Sequence, residues 1–370
     1  MHYHIILTER CNSQCKYCYE KSNQEFNNDL DKKFEFDFSA PTDSEVDIEI
    51  LKKFLSKDPK VVIVFYGGEP LVNQKKLVDI MDVFPNIEFC MQTNGKLLNE
   101  LPKEYMNKFS RILVSLDGKK ERTDYNRGKG NYGLVMKNLK LIRKNGYKGE
   151  IVARMTISQE FPDIFEQVVH LIEIPEIDSV HWQIDAGFYK FDFKKEKFSE
   201  FVEEYNYGIS KLIEYWIEKM RKGGVLMLYP FIGIMQDILK RTKTKLRCGA
   251  GHSGFAITTN GTITTCPIMN CIKDFYVGNL ESDPNNLKEI SVIEPCTSCD
   301  YLGLCGGRCL YSNHAKLWPK EGEDLICKTV KFLIDSLKAR AEEVRGLISQ
   351  GKIKLEDFEY EKYFGPEIIP

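Results

Sequence analysis

From residue 1 to about 190, short apolar runs rich in β-branched residues alternate with longer stretches whose apolar positions recur three and four apart, the pattern of repeated βα units. The strand-like runs are Tyr3–Leu7, Val61–Tyr66, Ile87–Gln92, Arg111–Ser115, Ile151–Ile157 and Ser179–Ile184. Between and after them Val46–Leu55, Leu134–Asn145 and Phe161–Ile172 read as amphipathic helices, with Asn131 and Ser158 placed to cap the last two. Six such units predict an α/β fold: a parallel sheet with right-handed crossovers, curled into a partial or full barrel, that receives ligands at the carboxyl ends of its strands.

A longer helix is expected from about Glu196 to Lys222, its apolar stripe running through Phe198, Phe201, Tyr205, Ile209, Leu212, Trp216 and Met220, with Gly223-Gly224 ending it. Residues 248–327 differ in kind. They are rich in Gly, Pro, Asn and Thr and lack apolar periodicity, so their core is expected to come from bound metal rather than from side-chain packing. A closing helix is expected over about Thr329 to Ser349, with Val330, Leu333, Leu337 and Val344 inward. The organisation that follows is a βα region with its helix over 1–225, a linker over 226–247, a cysteine-rich region over 248–327, and a helix and tail over 328–370.

Composition narrows the function. With 370 residues, 42% hydrophobic and 29% charged, the chain can bury cores for roughly two domains. Its 52 basic and 54 acidic residues leave a formal charge of −2 with no dominant basic block, which argues against nucleic acid as a partner. No apolar run approaches the roughly 20 residues that span a bilayer. The opening Met1-His2-Tyr3-His4-Ile5-Ile6-Leu7 carries no export signal, so no membrane partner and a cytoplasmic location are expected. The 12 cysteines are too many for casual core residues, and in a reducing compartment such clusters hold metal more often than they form disulfides.

Cys11, Cys15 and Cys18 lie on the loop that follows the first strand and supply three thiolates within eight residues. A structural zinc site wants four protein ligands, for which His2 or His4 is the fourth donor within reach. A [4Fe–4S] cluster on three thiolates instead leaves one iron open, and Tyr17 offers an aromatic face beside it. This Cys-x3-Cys-x2-Cys spacing on this loop resembles the radical S-adenosylmethionine (SAM) superfamily, and the resemblance runs to about residue 190. It implies a partial (β/α)6 barrel in which the open iron chelates SAM, and an electron from the cluster cleaves SAM to give a 5′-deoxyadenosyl radical that abstracts hydrogen from substrate. Gly67-Gly68-Glu69-Pro70 is similar to the family segment that hydrogen-bonds the amino group of SAM. By the same resemblance Asn94 of Thr93-Asn94-Gly95, Ser115 and Arg127 flank SAM, the last two offered to its carboxylate, and Ile157 presses on the adenine. A guanidinium suits a carboxylate. Cys90 lies within a β-run and reads as an inert buried thiol.

The other eight cysteines read Cys248-x12-Gly261-x4-Cys266, then Cys271, then Cys296-x2-Cys299-x5-Cys305-x3-Cys309, then Cys327. Cysteine pairs two residues apart also build zinc ribbons. Cys271 aside, the spacing resembles the seven-cysteine array of SPASM domains, which follow radical SAM barrels and hold two auxiliary clusters. The resemblance assigns Cys296, Cys299, Cys305 and Cys327 to one cluster and Cys248, Cys266 and Cys309 to the other. Some relatives add a cysteine six residues before Cys248, where Thr242 stands here. The fourth place is then filled by Cys271, by His252 or a carboxylate, or is left open for substrate. Cys271 is the preferred ligand, because iron–sulfur clusters favour sulfur.

SPASM relatives act largely on peptides and proteins. The function expected is therefore a peptide- or protein-modifying oxidoreductase with SAM and three [4Fe–4S] clusters, re-reduced by a carrier such as ferredoxin or flavodoxin. Anaerobic sulfatase-maturase chemistry on Cys or Ser is the alternative, although those enzymes tend to carry Gln where this chain has Tyr66 before its two glycines. The sequence starts on the first barrel strand, so no peptide-recognition domain is expected ahead of it. Asp185, at the end of the sixth strand in His181-Trp182-Gln183-Ile184-Asp185, is the candidate general base, with Tyr66 and Gln183 beside it and Trp182 in the core. An electron carrier without a catalytic pocket would explain the clusters, and a zinc-binding interaction protein the cysteines alone.

Overall fold

A computed structural model describes residues 1–18, 30–185, 193–316 and 318–364. The chain packs into two compact units. The first comprises Met1–Leu116, Lys120–Ala153 and Gly249–Ser291, and the second Asp117–Lys119, Arg154–Cys248 and Val292–Pro370.

The first unit is built on a parallel sheet. Its strands are β1 (His2–Ile6), β2 (Val62–Tyr66), β3 (Glu88–Thr93), β4 (Phe109–Ser115) and the start of β5 (Glu150–Ile157). β1 is buried along its whole length and pairs in parallel with β2, His2 opposite Val62 and Ile6 opposite Tyr66. Strands buried on both faces need continuous apolar runs, which is what Val62-Ile63-Val64-Phe65 supplies. Phe65 stacks on Phe89 at 5.8 Å and meets Phe109 edge-on at 6.1 Å. Helix α1 (Ile48–Leu55) buries Leu51, Phe54 and Leu55, and Asp47 caps it by accepting hydrogen bonds from the Glu49 and Ile50 amides. Such a cap contributes about 1 kcal/mol. Helices α2 (Gln74–Val83), α3 (Lys120–Arg127) and α4 (Asn131–Lys144) complete the βα repeats of this unit.

Two expectations need correction here. Asn131 is not the cap of α4 but its first residue; Gly130, at φ 82, holds the cap position, because the chain enters the helix from a left-handed turn. The cysteine-rich segment also has a side-chain core. Gly254–Ile257 forms β8, parallel to β1 with Tyr3 opposite Phe255, and continues through β9 (Thr262–Thr264) to β10 (Tyr276–Asn279) as an antiparallel meander. Phe255, Ile257, Ile263, Met269, Ile272 and Phe275 are all buried.

In the second unit β6 (Ser179–Ile184) pairs in parallel with the short β7 (Met227–Leu228). Around them lie α5 (Ile164–Ile172), α6 (Lys195–Arg221), α7 (Tyr229–Lys240) and α8 (Lys320–Ser349). Trp182 is fully buried, as expected: its ring meets Phe231 edge-on at 5.2 Å and its Nε1 donates to the Tyr205 hydroxyl at 2.9 Å. Gly223, at φ 92, ends α6 as the sequence predicts. Asp163, not Ser158, occupies the cap position of α5, since the helix begins three residues later than its apolar pattern. Helix α8 starts nine residues before the expected Thr329, so Cys327 sits on a helix. Residues 226–247, read as a linker, carry β7 and the buried α7. Among the described residues no helix is long and apolar enough to cross a membrane.

Candidate active site and cluster sites

The carboxyl ends of β1, β2 and β3 converge on the loop that carries Cys11, Cys15 and Cys18. Gly68 N donates to Thr8 O and Glu69 N to Arg10 O, both at 2.9 Å. These bonds require the two glycines. A Cβ on Gly67, at φ 143, would collide with the Thr8 carbonyl, and one on Gly68 would lie 2.5 Å from Glu9 O and 2.6 Å from Arg10 O. The glycine pair therefore lets the end of β2 grip the backbone just ahead of Cys11.

Glu69 is fully buried and points inward. Its Oε1 accepts from Leu71 N at 3.1 Å and Thr93 Oγ1 at 2.8 Å, and its Oε2 from Asn94 N at 2.7 Å. Burial pushes its carboxyl up to about 7, against the pull of those donors. Asn94 passes the order on: its Nδ2 lies 3.8 Å from Cys11 Sγ and donates to Asn12 Oδ1 at 2.7 Å. Lys96 Nζ donates to Asn12 O at 3.3 Å, and Lys16 N donates to Asn126 O at 3.0 Å. The neighbouring Arg127 is buried, with its guanidinium 5.3 Å from the centroid of the Tyr17 ring. The structure thus brings Cys11, Tyr17, Gly67, Gly68, Glu69, Asn94 and Arg127 around one loop. Ser115 is half-buried at the end of β4, and Tyr66 sits at the end of β2 with its ring against His4 at 5.8 Å. Cys90 lies buried on β3, 3.5 Å from Ser110 Oγ, its thiol pushed up to about 11 by burial, as expected of an inert thiol.

In the second unit Asp185 N donates to the carbonyl of the fully buried Ile157 at 2.7 Å, which fixes the carboxyl end of β6 against that of β5. Arg154 Nη2 donates to Gln183 Oε1 at 2.9 Å, and its Nη1 lies 3.4 Å from His181 Nδ1. Asp117, buried and missed from sequence as a structural residue, accepts from Thr156 N at 3.0 Å.

Cys296, Cys299, Cys305 and Cys327 belong to the second unit, where successive tight turns (Cys299 N to Cys296 O at 3.1 Å, Cys305 N to Tyr301 O at 2.8 Å) gather the first three. Burial raises the thiols of Cys296, Cys305 and Cys327, that of Cys305 to about 11, and charge on neighbouring members of the set raises them further. Asn313 Nδ2 donates to Cys296 Sγ at 3.4 Å. Among the described residues, no group of three or more His, Cys, Asp or Glu side chains is arranged to hold a metal ion. Cysteine sulfur with an amide donor beside it is the ligand type that iron–sulfur clusters take.

Thr242, at the position of the cysteine found in some relatives, is committed elsewhere. Its hydroxyl donates to the buried Asp237 at 2.6 Å, which also takes Arg247 Nη2 at 2.6 Å and Lys362 Nζ at 3.0 Å. Arg247 Nε donates to Leu304 O at 2.8 Å, one residue from Cys305. In the first unit Cys271 is buried and its thiol is pushed up to about 12, by burial first and then by the charges of Glu9 and Asp37. Asn270 Nδ2 donates to Glu9 Oε1 at 2.8 Å. His252 Nδ1 lies 2.8 Å from Ser253 Oγ.

Residues 5–172 match the Radical SAM superfamily model. The radical SAM cyclopropyl synthase TigE of Paramaledivibacter caminithermalis is 24% identical across 92% of this chain and 74% of its own. The serine-type anaerobic sulfatase-maturating enzyme of Bacteroides thetaiotaomicron is 22% identical across 86% of this chain and 84% of its own. Among solved structures, native anSMEcpe with bound AdoMet and Cp18Cys peptide shares the fold, with a TM-score of 0.67 and 17% identity over 93% of this chain and 99% of that one.

Proposed function

We propose that the chain, whose residues 5–172 match the Radical SAM superfamily model, is a peptide- or protein-modifying oxidoreductase with SAM and three iron–sulfur clusters. The observation that carries the reading is the loop of Cys11, Cys15 and Cys18, held from two strand ends by the Gly67–Glu69 backbone and by Asn94. When bound, cluster and SAM supply one-electron reductive cleavage of the cofactor and abstraction of a substrate hydrogen atom.

The chain's own residues bind and orient. Cys11, Cys15 and Cys18 would hold the SAM-binding cluster. Arg127, backed by the Tyr17 ring, and Ser115 are offered to the SAM carboxylate, while Gly67 and Gly68 bring backbone close to its amino group. Ile157 is the proposed apolar wall, Asp185 the proposed general base, and Tyr66 a second proposed catalytic residue. Glu69 accepts from three protein donors and, with lone-pair capacity left on its carboxylate, is proposed as part of the same SAM-binding segment. Cys296, Cys299, Cys305 and Cys327 would hold one auxiliary cluster, and Cys248, Cys266 and Cys309 the other, with Cys271 as proposed fourth ligand.

The similarity of fold to anSMEcpe, which was solved with a peptide, supports a peptide or protein as substrate. A ferredoxin- or flavodoxin-like carrier is the proposed electron donor, and the cytoplasm the proposed location. Sulfatase-maturase-type oxidation of Cys or Ser is a second reading, supported by the relative from Bacteroides. The test is anaerobic incubation of iron-loaded protein with SAM, dithionite and peptides encoded beside its gene. Formation of 5′-deoxyadenosine and a mass change in one peptide is expected, and iron-loaded protein that leaves SAM intact refutes the proposal.

A further inference from the structure

Residues 125–149 contain no Asp or Glu and carry two arginines and five lysines, a local excess that the balanced formal charge of −2 conceals. The two kinds of cation part company. Arg127 is buried against Tyr17, and Arg143 Nη1 turns back to donate to Tyr147 O at 3.3 Å and Gly149 O at 2.8 Å. The lysines face outward. Lys129, Lys137, Lys140, Lys144 and Lys148 are all exposed, and among the described residues no carboxylate pairs with any of them. Elsewhere in the same unit exposed lysines do find carboxylates, as Lys75 finds Asp79 and Lys273 finds Glu35.

Helix chemistry does not ask for this row. Lys144 suits the C-terminal end of α4, but Lys129 stands just ahead of the N-terminus, where the helix dipole opposes a cation. Lys137, Lys140 and Lys144 are spaced three and four apart, where like charges repel. Leu134 and Leu141 share that face, 40% and 36% exposed. An apolar strip rimmed by unpaired lysines is complementary to an acidic protein surface.

The face is tied to the cysteine loop. On the inner side of α4, Asn138 Nδ2 donates to Gly95 O at 3.0 Å and to Lys96 O at 2.9 Å, and Lys96 Nζ in turn reaches Asn12 O, next to the exposed Cys11. Lys16 Nζ lies 2.9 Å from the centroid of the Tyr125 ring, which is 44% exposed. Gly128, Gly130 and Gly133 have no heavy atom within 4 Å of where a Cβ would stand, so another surface can approach the backbone closely there.

We propose that this face, from Lys129 to Lys144 with Leu134 and Leu141, docks an acidic one-electron carrier protein that reduces the cluster of Cys11, Cys15 and Cys18. One electron leaves the reduced flavin or iron–sulfur centre of the carrier and enters that cluster; the carrier is oxidised by one electron, and no bond forms or breaks. The inference rests on the proposed function and names the surface its electron donor uses. Nucleic acid fits the face less well, because both arginines, the side chains that grip phosphate as a fork, are committed to the protein.

The test uses the full, iron-loaded chain with SAM and photoreduced flavodoxin, an acidic carrier, and follows 5′-deoxyadenosine. The initial rate should fall about tenfold or more between about 0.01 M and about 1 M salt. At the lower salt, combined Lys129→Glu, Lys137→Glu and Lys140→Glu should slow it about tenfold. Combined Lys52→Glu, Lys53→Glu and Lys60→Glu, the same charge change elsewhere in the unit, should leave it within about twofold. The amount formed with excess dithionite should be the same in all three proteins. Carbodiimide coupling of flavodoxin carboxylates to the wild type should fall on Lys129, Lys137 and Lys140, a result independent of any variant. Coupling confined to other lysines, an unmoved rate in the first variant, equal losses in both variants, or no reduction by flavodoxin at either salt overturns the proposal. Binding of poly(U) RNA that the first variant loses while its flavodoxin rate stands would give the face to nucleic acid instead. Wild type that forms no 5′-deoxyadenosine even with dithionite overturns the functional reading beneath it.

Discussion

Glu69→Gln tests whether a buried carboxylate organises the cysteine loop. The substitution keeps the shape of the side chain and one carbonyl oxygen, which can still accept from Leu71 N and Thr93 Oγ1 as Oε1 does. The amide nitrogen then replaces Oε2 and meets the Asn94 N–H, donor against donor, where the native bond is 2.7 Å. A buried donor left unmet costs about 1–3 kcal/mol. If the cost falls on local opening, the Asn94 amide exchanges with solvent about 5 to 150 times faster. Hydrogen exchange read by mass spectrometry on the peptide over 91–98 measures this directly. Because the Asn94 side chain contacts Cys11 and Asn12, iron at the N-terminal site should also fall. Exchange of Asn94 changed by less than about twofold, outside the range that this cost allows, with iron retained, refutes the argument.

Burial raises the Glu69 carboxyl from 4.5 to about 7. A raised carboxyl makes its full contribution to stability below the unfolded value and loses it as pH rises through the folded one. Protection of the Asn94 amide, corrected for intrinsic exchange, should therefore decline between pH 4.5 and about 7 in the wild type and stay flat in Glu69→Gln. Changing Cys11, Cys15 and Cys18 together to Ala should abolish 5′-deoxyadenosine formation while leaving about eight of about twelve irons; persistent SAM cleavage would remove the triad from the mechanism. Tyr205→Phe strips Trp182 Nε1 of its acceptor and should destabilise the second unit by about 1–3 kcal/mol in urea, with active-site iron unaffected. Arg247→Met leaves Asp237 with one fewer cation in a buried site and should cost about 3–5 kcal/mol, and adding Asp237→Leu should recover part of it.

The six strands of the βα region were legible because parallel strands buried on both faces must be written as continuous apolar runs, and Val62–Tyr66 or Ile151–Ile157 cannot be mistaken for anything amphipathic. The residues at their carboxyl ends followed from that placement. The roles of those residues were less legible. Glu69 turns inward because Thr93 and Asn94 deliver donors from the next strand, a pairing that a local reading does not contain. The strand Gly254–Ile257 was missed because four residues between a turn-rich stretch and a Thr-Thr-Asn-Gly hairpin show no periodicity, and only its pairing with β1 makes it a strand. The first turns of α8 were missed because Pro319 and Gly322 read as loop, although proline is at home at the start of a helix. Thr242 looked like a lost ligand and is instead the hydroxyl partner of a buried ion pair on α7, which itself was read as linker.

The pairing of β1 with β8 sets a timetable for synthesis. His2 and Gly254 are neighbours in the sheet and about 250 residues apart in the chain. At the usual rate of about 5–20 residues per second, β1 leaves the ribosome about 12 to 50 seconds before the strand that covers its outer edge. Throughout that interval a strand that is buried along its whole length in the finished sheet offers its unpaired backbone to any passing strand, the situation in which chains aggregate. The cysteine-rich segment is thus the last plank of the first unit's sheet as well as a holder of clusters. A ribosome that stalls before residue 254, or a gene cut there to isolate the βα region, would yield a protein with an open seam rather than a smaller enzyme.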